Sequence, residues 1–349
     1  MENLLNFTRL ELANWLEKKG IRPFRAGQVF KWVYLKDTDQ FEQMTDVGKE
    51  MRAMLNSAFV ISRLELESSQ KSADTTEKFL FRLEDGQHIE SVLIPERDHY
   101  TLCVSSQVGC ARNCRFCLTA KGKLRRNLEV SEIVSQVRDI RHILESRSEA
   151  EGKRLSNIVF MGMGEPLDNY GNLLKSLEII LDTDFGLKFS ARRVTVSTCG
   201  LIPEITRLGE DTEVNLAISL NATDNETRSR LMPVNNRYPL EDLLEACRTF
   251  SMKPRNKITF EYILIKGIND TPEDAHRLVK LLRPIKAKVN LIPFNEHPES
   301  EFKRPDSNVI QRFLQILLDK KMTAIIRKSK GDDILAACGQ LRAKLINTS

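Results

Sequence analysis

From Tyr100 onward the chain alternates strand-like and helix-like segments, and no other feature limits its fold so strongly. Short runs rich in β-branched residues fall at 102–105, 157–161, 193–197, 214–220, 258–265, 288–293 and 323–327. Between them lie stretches whose apolar residues recur every three or four positions, as at 172–181, 240–250, 272–282 and 307–318. A period near two marks a strand and a period near 3.6 a helix. Strict βα alternation implies a parallel sheet, either open or curled into a barrel. In such folds chemistry gathers at the carboxyl ends of the strands. Here those ends carry polar, turn-forming groups: Gly162-Met163-Gly164-Glu165-Pro166, Ser197-Thr198, Ser219-Leu220-Asn221 and Pro293-Phe294-Asn295.

Upstream the pattern changes. Residues 1–70 read as helical, with amphipathic stretches at 10–18, 25–34 and 48–59 that place Trp15 and Trp32 on apolar faces. Polar and acidic residues at 65–77 suggest a linker, and runs at 78–84 and 88–95 joined by Asp85-Gly86 predict a β-hairpin. A length of 349 residues with 41% hydrophobic content suffices for one large core and a small additional domain. No apolar run is long enough to span a bilayer, so a cytoplasmic protein without a membrane partner is expected.

Seven cysteines are an odd number for a disulfide framework, and four of them lie between 103 and 117, which points to a metal site. Cys110, Cys114 and Cys117 stand in a CxxxCxxC spacing. Thiolates are natural ligands of iron–sulfur clusters, and three of them leave one iron of a 4Fe–4S cluster open. Tetrahedral zinc is the competing occupant, but structural zinc prefers paired two-residue spacings and four protein ligands. The nearest fourth candidate, Cys103, stands seven residues upstream in a strand-like run. The five histidines show no ligand spacing. Net charge is only +5, yet Arg112, Arg115, Lys121, Lys123, Arg125 and Arg126 follow one another without an acid between them. Such a run is either a solvated face or a contact for an anion.

CxxxCxxC after the first strand of a βα series, with Phe116 before the last cysteine, resembles the radical S-adenosylmethionine (SAM) superfamily. The resemblance implies a partial (β/α) barrel, a 4Fe–4S cluster on Cys110, Cys114 and Cys117, and SAM on the open iron. Four stretches narrow it further: Cys103-Val-Ser-Ser-Gln-Val-Gly-Cys110, Met161-Gly-Met-Gly-Glu-Pro166, Arg327-Lys-Ser-Lys-Gly-Asp-Asp333 and Ala336-Ala-Cys-Gly-Gln-Leu341. Together they resemble the RlmN/Cfr family of RNA methyltransferases. The implied division is a helical RNA-binding domain over 1–70, a linker and hairpin over 71–98, the barrel over 99–330, and a segment carrying a methyl-bearing cysteine over 331–349.

The implied substrates are adenosines of 23S ribosomal RNA and of tRNA, methylated on carbon 2. That carbon lies between two ring nitrogens and is too electron-poor to attack the methyl of SAM as a nucleophile would, which is why a radical cofactor is needed. By resemblance, Cys338 is methylated first, its methyl carbon is joined to adenine, Glu90 or Cys103 removes the adenine proton, and Cys103 attacks the Cys338 sulfur. A Cys103–Cys338 disulfide then ends each turnover, which calls for a reductant in addition to an electron donor for the cluster. Gly164, Glu165, Ser197, Ser219, Leu220, Asn221 and Asn295 match the superfamily's SAM contacts. A monomer is expected. The carbon-8 branch of the family shares the cluster motif and both further cysteines. Pro166 and the run from Lys328 to Asp333 match the carbon-2 branch instead. A non-catalytic metal-cluster protein that binds RNA would have no use for Glu165, Cys103 and Cys338 together.

Read without the family, several of these residues are ordinary. A lone cysteine is most often a small buried hydrophobe, and a glutamate on a hairpin is most often solvated. Gly331 and Gly339 suggest that Cys338 rides on a mobile loop. Cys247, among Leu243, Leu244 and Ala246, reads as helix core, and Cys199 has no assigned role.

Overall fold

The β-branched runs become strands of one sheet. The computed structural model describes residues 1–147, 152–297 and 299–342, so the expected segment 331–349 is described only as far as Arg342. Ten strands follow one another in space in the order of the sequence. They are β1 (Glu65–Lys71), β2 (Glu77–Arg82), β3 (His88–Pro95), β4 (His99–Cys103), β5 (Arg154–Phe160), β6 (Val194–Thr198), β7 (Asn215–Ser219), β8 (Ile258–Leu264), β9 (Ala287–Pro293) and β10 (Ala324–Ile326). The pairs from β1 to β4 are antiparallel, and those from β4 to β10 are parallel. A parallel order without reversal means that every crossover turns the same way, which puts the helices on one face and curls the sheet into part of a barrel.

The helices are α1 (Arg9–Glu17), α2 (Arg25–Phe30), α3 (Lys49–Ala58), α4 (Leu118–Lys121), α5 (Val130–Arg147), α6 (Tyr170–Leu181), α7 (Ile202–Asp211), α8 (Asn225–Leu231), α9 (Leu240–Thr249), α10 (Pro272–Leu282) and α11 (Ser307–Asp319). Thr271 and Asp274 form a reciprocal cap at the start of α10, where Pro272 opens the helix. Cys247 on α9 is buried, as its apolar neighbours predict. The N-terminal helices dock on α5. The fully buried Arg138 donates to the carbonyls of Val33 and Thr38, and Asp139 accepts from the Leu64 N–H and from Arg63. Between these helices on one side and the sheet and α6 on the other, α5 is buried from Val130 to Ile140 except at Glu132.

One element departs from expectation. Residues 65–77 were expected to form a linker, but Glu65–Lys71 is the edge strand β1, so the hairpin is part of a three-stranded antiparallel extension of the sheet. None of its residues is buried. An edge strand that covers no core needs no apolar alternation, and alternation is what reveals a strand in sequence.

Register decides which side chains face the concavity. Leu80 lies opposite Glu90, Lys78 opposite Val92, and Val92 opposite Cys103. Residues directly opposite share a face, so Lys78, Glu90, Val92 and Cys103 point one way. Ser91 points the other way and donates to Gln136 Oε1 on α5.

Candidate active site

The loop after β4 carries the three cysteines. Gly109 makes its first turn with φ +79°, and an added Cβ would sit 1.7 Å from the Lys123 carbonyl oxygen, so only glycine fits. Further along, the Arg115 N–H donates to Leu231 O and the Cys117 N–H to Cys114 O. Cys110, Cys114 and Cys117 all line one cavity at the carboxyl ends of the strands, about 890 Å³ of empty space measured out to its open mouth. Burial pushes the Cys110 thiol up to about 12, and burial with the neighbouring sulfurs raises Cys114 well above the usual thiol range. Such a set gives up its protons when a strongly positive group binds.

The facing wall comes from β5, β6 and β7. An added Cβ on Gly164, at φ +98°, would lie 2.5 Å from the Gln107 side chain. Glu165 is buried, with Oε2 accepting from the Cys199 N–H at 2.8 Å and Oε1 from the Leu167 N–H at 3.1 Å. Burial raises its carboxyl above the usual range, and the Cys199 hydrogen bond works against that. Ser197, Ser219 and Asn221 line the same cavity. Cys199, which sequence reasoning left without a role, supplies that N–H and lines the cavity too.

Two of the expected SAM contacts border the cavity without lining it. Leu220 is fully buried, and its carbonyl accepts from the buried Arg228. Asn295 donates to the Cys338 carbonyl at 3.2 Å and accepts from Ser329 Oγ. Neither is among the cavity-lining residues. Asn221 adopts a left-handed φ of +59° and spends its side chain within the fold, with Oδ1 accepting from the Ile263 N–H.

Cys338 completes the cavity with Gly339 and Arg327. Its segment is not the loose loop that its glycines suggested. The Leu118 N–H donates to Gly339 O at 2.7 Å, Thr119 Oγ1 to Leu341 O at 2.6 Å, and Lys78 Nζ to Ile334 O at 2.8 Å. Gln340 ties Ala337, Glu296 and Asp332 together. Beneath it, Cys103 packs with Val92, Ile94, Met163, Ala336 and Leu341. Burial first, and the nearby Cys338 second, push the Cys103 thiol up to about 12. Both cysteines are free thiols.

Glu90 is buried rather than solvated, with Oε1 3.2 Å from Lys78 Nζ and Oε2 accepting the Arg342 N–H at 2.8 Å. The structure adds a residue that no spacing announced as part of the site. The guanidinium of Arg327, at the end of β10, lies 3.7 Å from Met161 Sδ, and the charges of Cys338, Glu261 and Cys103 hold its proton more firmly. The basic run is also less free than its sequence suggested. Arg112 pairs with Asp168, and Arg126 with both Asp85 and Glu132.

Among the described residues no group of three or more His, Cys, Asp or Glu side chains is arranged to hold a metal ion. Three thiols on one cavity wall suit a cluster of several irons, whereas structural zinc takes four protein ligands. A partial βα barrel with CxxxCxxC at the mouth and a glycine–glutamate wall opposite defines a radical SAM enzyme. Residues 104–282 match the model of the radical SAM superfamily, and residues 2–61 match that of the ribosomal RNA large subunit methyltransferase N-terminal domain. The dual-specificity RNA methyltransferase RlmN of Desulfosudis oleivorans is 57% identical over 99% of this chain and 91% of its own length. That of Geobacter sulfurreducens is 53% identical over 96% and 90%. A radical SAM methyltransferase from Sphaerobacter thermophilus superposes with a TM-score of 0.90 at 42% identity, covering 99% of this chain and 100% of that one. The chain belongs to the RlmN family of radical SAM methyltransferases, whose cofactors are a 4Fe–4S cluster and SAM. No helix among the described residues is long and apolar enough to cross a membrane.

Proposed function

We propose that this protein methylates carbon 2 of adenine in 23S ribosomal RNA and in tRNA, with Cys338 as the carrier of the methyl carbon. The observation that carries this reading is the placement of Cys338 on the wall of the cavity that also holds Cys110, Cys114 and Cys117, with Cys103 beneath the same segment. When bound, the cluster and SAM supply the methyl group and the radical chemistry. Cys110, Cys114 and Cys117 would hold the cluster. The wall of Gly164, Glu165, Ser197 and Ser219 would bind SAM, a carboxylate suiting its ammonium group and a glycine allowing close approach. Glu90, on the same face as Cys103, would take the adenine carbon-2 proton, and Cys103 would attack the Cys338 sulfur to release the methylated base.

The reading is tested by digesting RNA treated with the cluster-loaded protein and identifying the methyladenine isomer by mass spectrometry. Carbon-2 product on both RNAs is expected. Carbon-8 product would overturn the position assigned, and product on one RNA alone would remove the dual substrate.

A further inference from the structure

Lys78 stands where two parts of the proposed chemistry meet. It lies on β2, opposite Val92 of β3, two residue pairs away from Leu80 and Glu90. Diagonal neighbours on one face of an antiparallel pair are within reach of a long side chain. Lys78 Nζ lies 3.2 Å from Glu90 Oε1, with 11% of the lysine side chain and 5% of the glutamate exposed. The same ammonium donates to Ile334 O at 2.8 Å, in the segment that carries Cys338. On the other side, the Arg342 N–H donates to Glu90 Oε2 at 2.8 Å. Both carboxylate oxygens thus have partners, but of different kinds. The Arg342 N–H belongs to the terminal segment, whereas Lys78 comes from the neighbouring strand of the sheet and joins Glu90 to that segment.

We infer that Lys78 is a positioning residue for the proton transfer from adenine: through its ion pair it orients the Glu90 carboxylate on the face that also carries Cys103. The inference rests on the reading of Glu90 as the base. In that step the adenine carbon-2–hydrogen bond breaks, the proton passes to a Glu90 oxygen, and the bonding pair remains on the ring. Lys78 holds Oε1 at 3.2 Å and so fixes the orientation of the carboxylate on that face. Sequence alone gives no sign of this, since Lys78 appears as one more polar residue in a half-buried hairpin.

The test compares Lys78→Met, Lys78→Arg and Glu90→Gln in the full-length, cluster-loaded protein. The readout is the lifetime of the covalent protein–RNA adduct once formed, followed by denaturing gel electrophoresis. Lifetime is measured per adduct formed, so a lysine that served only to hold the 334–335 backbone would change the yield and leave the lifetime alone. Lys78→Met is expected to lengthen the lifetime by about tenfold or more, within the range that general acid–base groups contribute. Lys78→Arg, which keeps a cation, is expected to restore most of the parent rate. Glu90→Gln should match or exceed the effect of Lys78→Met, and the double variant should be no slower than Glu90→Gln. A parental lifetime in Lys78→Met beside a long one in Glu90→Gln would overturn the role of Lys78 alone. A parental lifetime in Glu90→Gln would overturn the base itself and this inference with it. Equal lifetimes in Lys78→Met and Lys78→Arg, both long, would show that fit rather than charge matters, and would also overturn it.

Discussion

Cys103 and Cys338 both lie close to one half-buried guanidinium, that of Arg327, and that decides how each should respond to change. Arg327 feels Cys338 most strongly, then Glu261 and Cys103. A thiolate at either sulfur therefore gains from it, and Arg327→Met should slow release of RNA from the covalent adduct. Cys103 itself is a reluctant thiolate, since burial lifts it to about 12. Below that point the ionised fraction grows about tenfold with each pH unit. The rate at which a preformed adduct resolves should climb steeply between about pH 7 and 9, and a flat profile would exclude Cys103 as the attacking group. Cys103→Ala should load methyl on Cys338 and then accumulate the adduct, whereas Cys338→Ala should form none. The three cysteines of the proposed cluster site were legible because their spacing is local. Arg327 and Lys78 were not, because what makes them informative is a partner far away in sequence. Arg228 is of the same kind. Fully buried, it donates to the carbonyls of Leu220 and Cys199 and to Asn235 Oδ1. Arg228→Met should cost about 3 kcal/mol by leaving those acceptors unpaired, read as a lower midpoint of thermal unfolding.

The elements show where sequence patterns inform and where they fail. Strands β6 to β8 announced themselves because most of their residues are buried on both faces, which favours β-branched and apolar runs. The edge strand β1 buries nothing and read as a linker. The terminal segment misled in the opposite direction, since small residues and glycines suggested mobility while the structure anchors it through side chains of distant elements. Gln340, 2% exposed, is the centre of that anchoring. Its amide accepts from the Ala337 N–H and donates to Glu296 O and Asp332 Oδ1. Each such bond is worth about 1 kcal/mol. Gln340→Ala should therefore speed amide hydrogen exchange across 332–341 by about tenfold or more, with exchange in β7 to β9 unchanged. If the whole sheet quickened with it, the segment would be part of the global fold rather than a separate latch.

At the scale of the whole molecule, the net charge of +5 says little, and the placement of unpaired charge says more. The N-terminal domain packs on α5 through Arg138, Arg63 and Asp139, so these charges serve the interface between domains. Within the basic run, Lys123 and Arg125 are exposed, whereas Arg126 pairs with Asp85 and Glu132. Under the proposed function, exposed cations on the loop that follows the three cysteines would meet phosphates of the RNA. Phosphate contacts carry no sequence information, and each one neutralised adds about one unit to the slope of log affinity against log salt. Lys123→Glu and Arg125→Glu should therefore weaken ribosomal RNA and tRNA fragments alike, and each should flatten the salt dependence by about one unit if its cation meets a phosphate. Arg126→Glu should behave differently. It would leave Asp85 and Glu132 facing a third carboxylate, so its main effect should be a lower thermal midpoint with the salt slope little changed. Binding titrations at several salt concentrations, run beside thermal unfolding, separate the two outcomes. A salt slope reduced by Arg126→Glu and untouched by the other two would show that the ion pairs of Arg126 open on binding and that the RNA path runs along the β2–β3 turn instead.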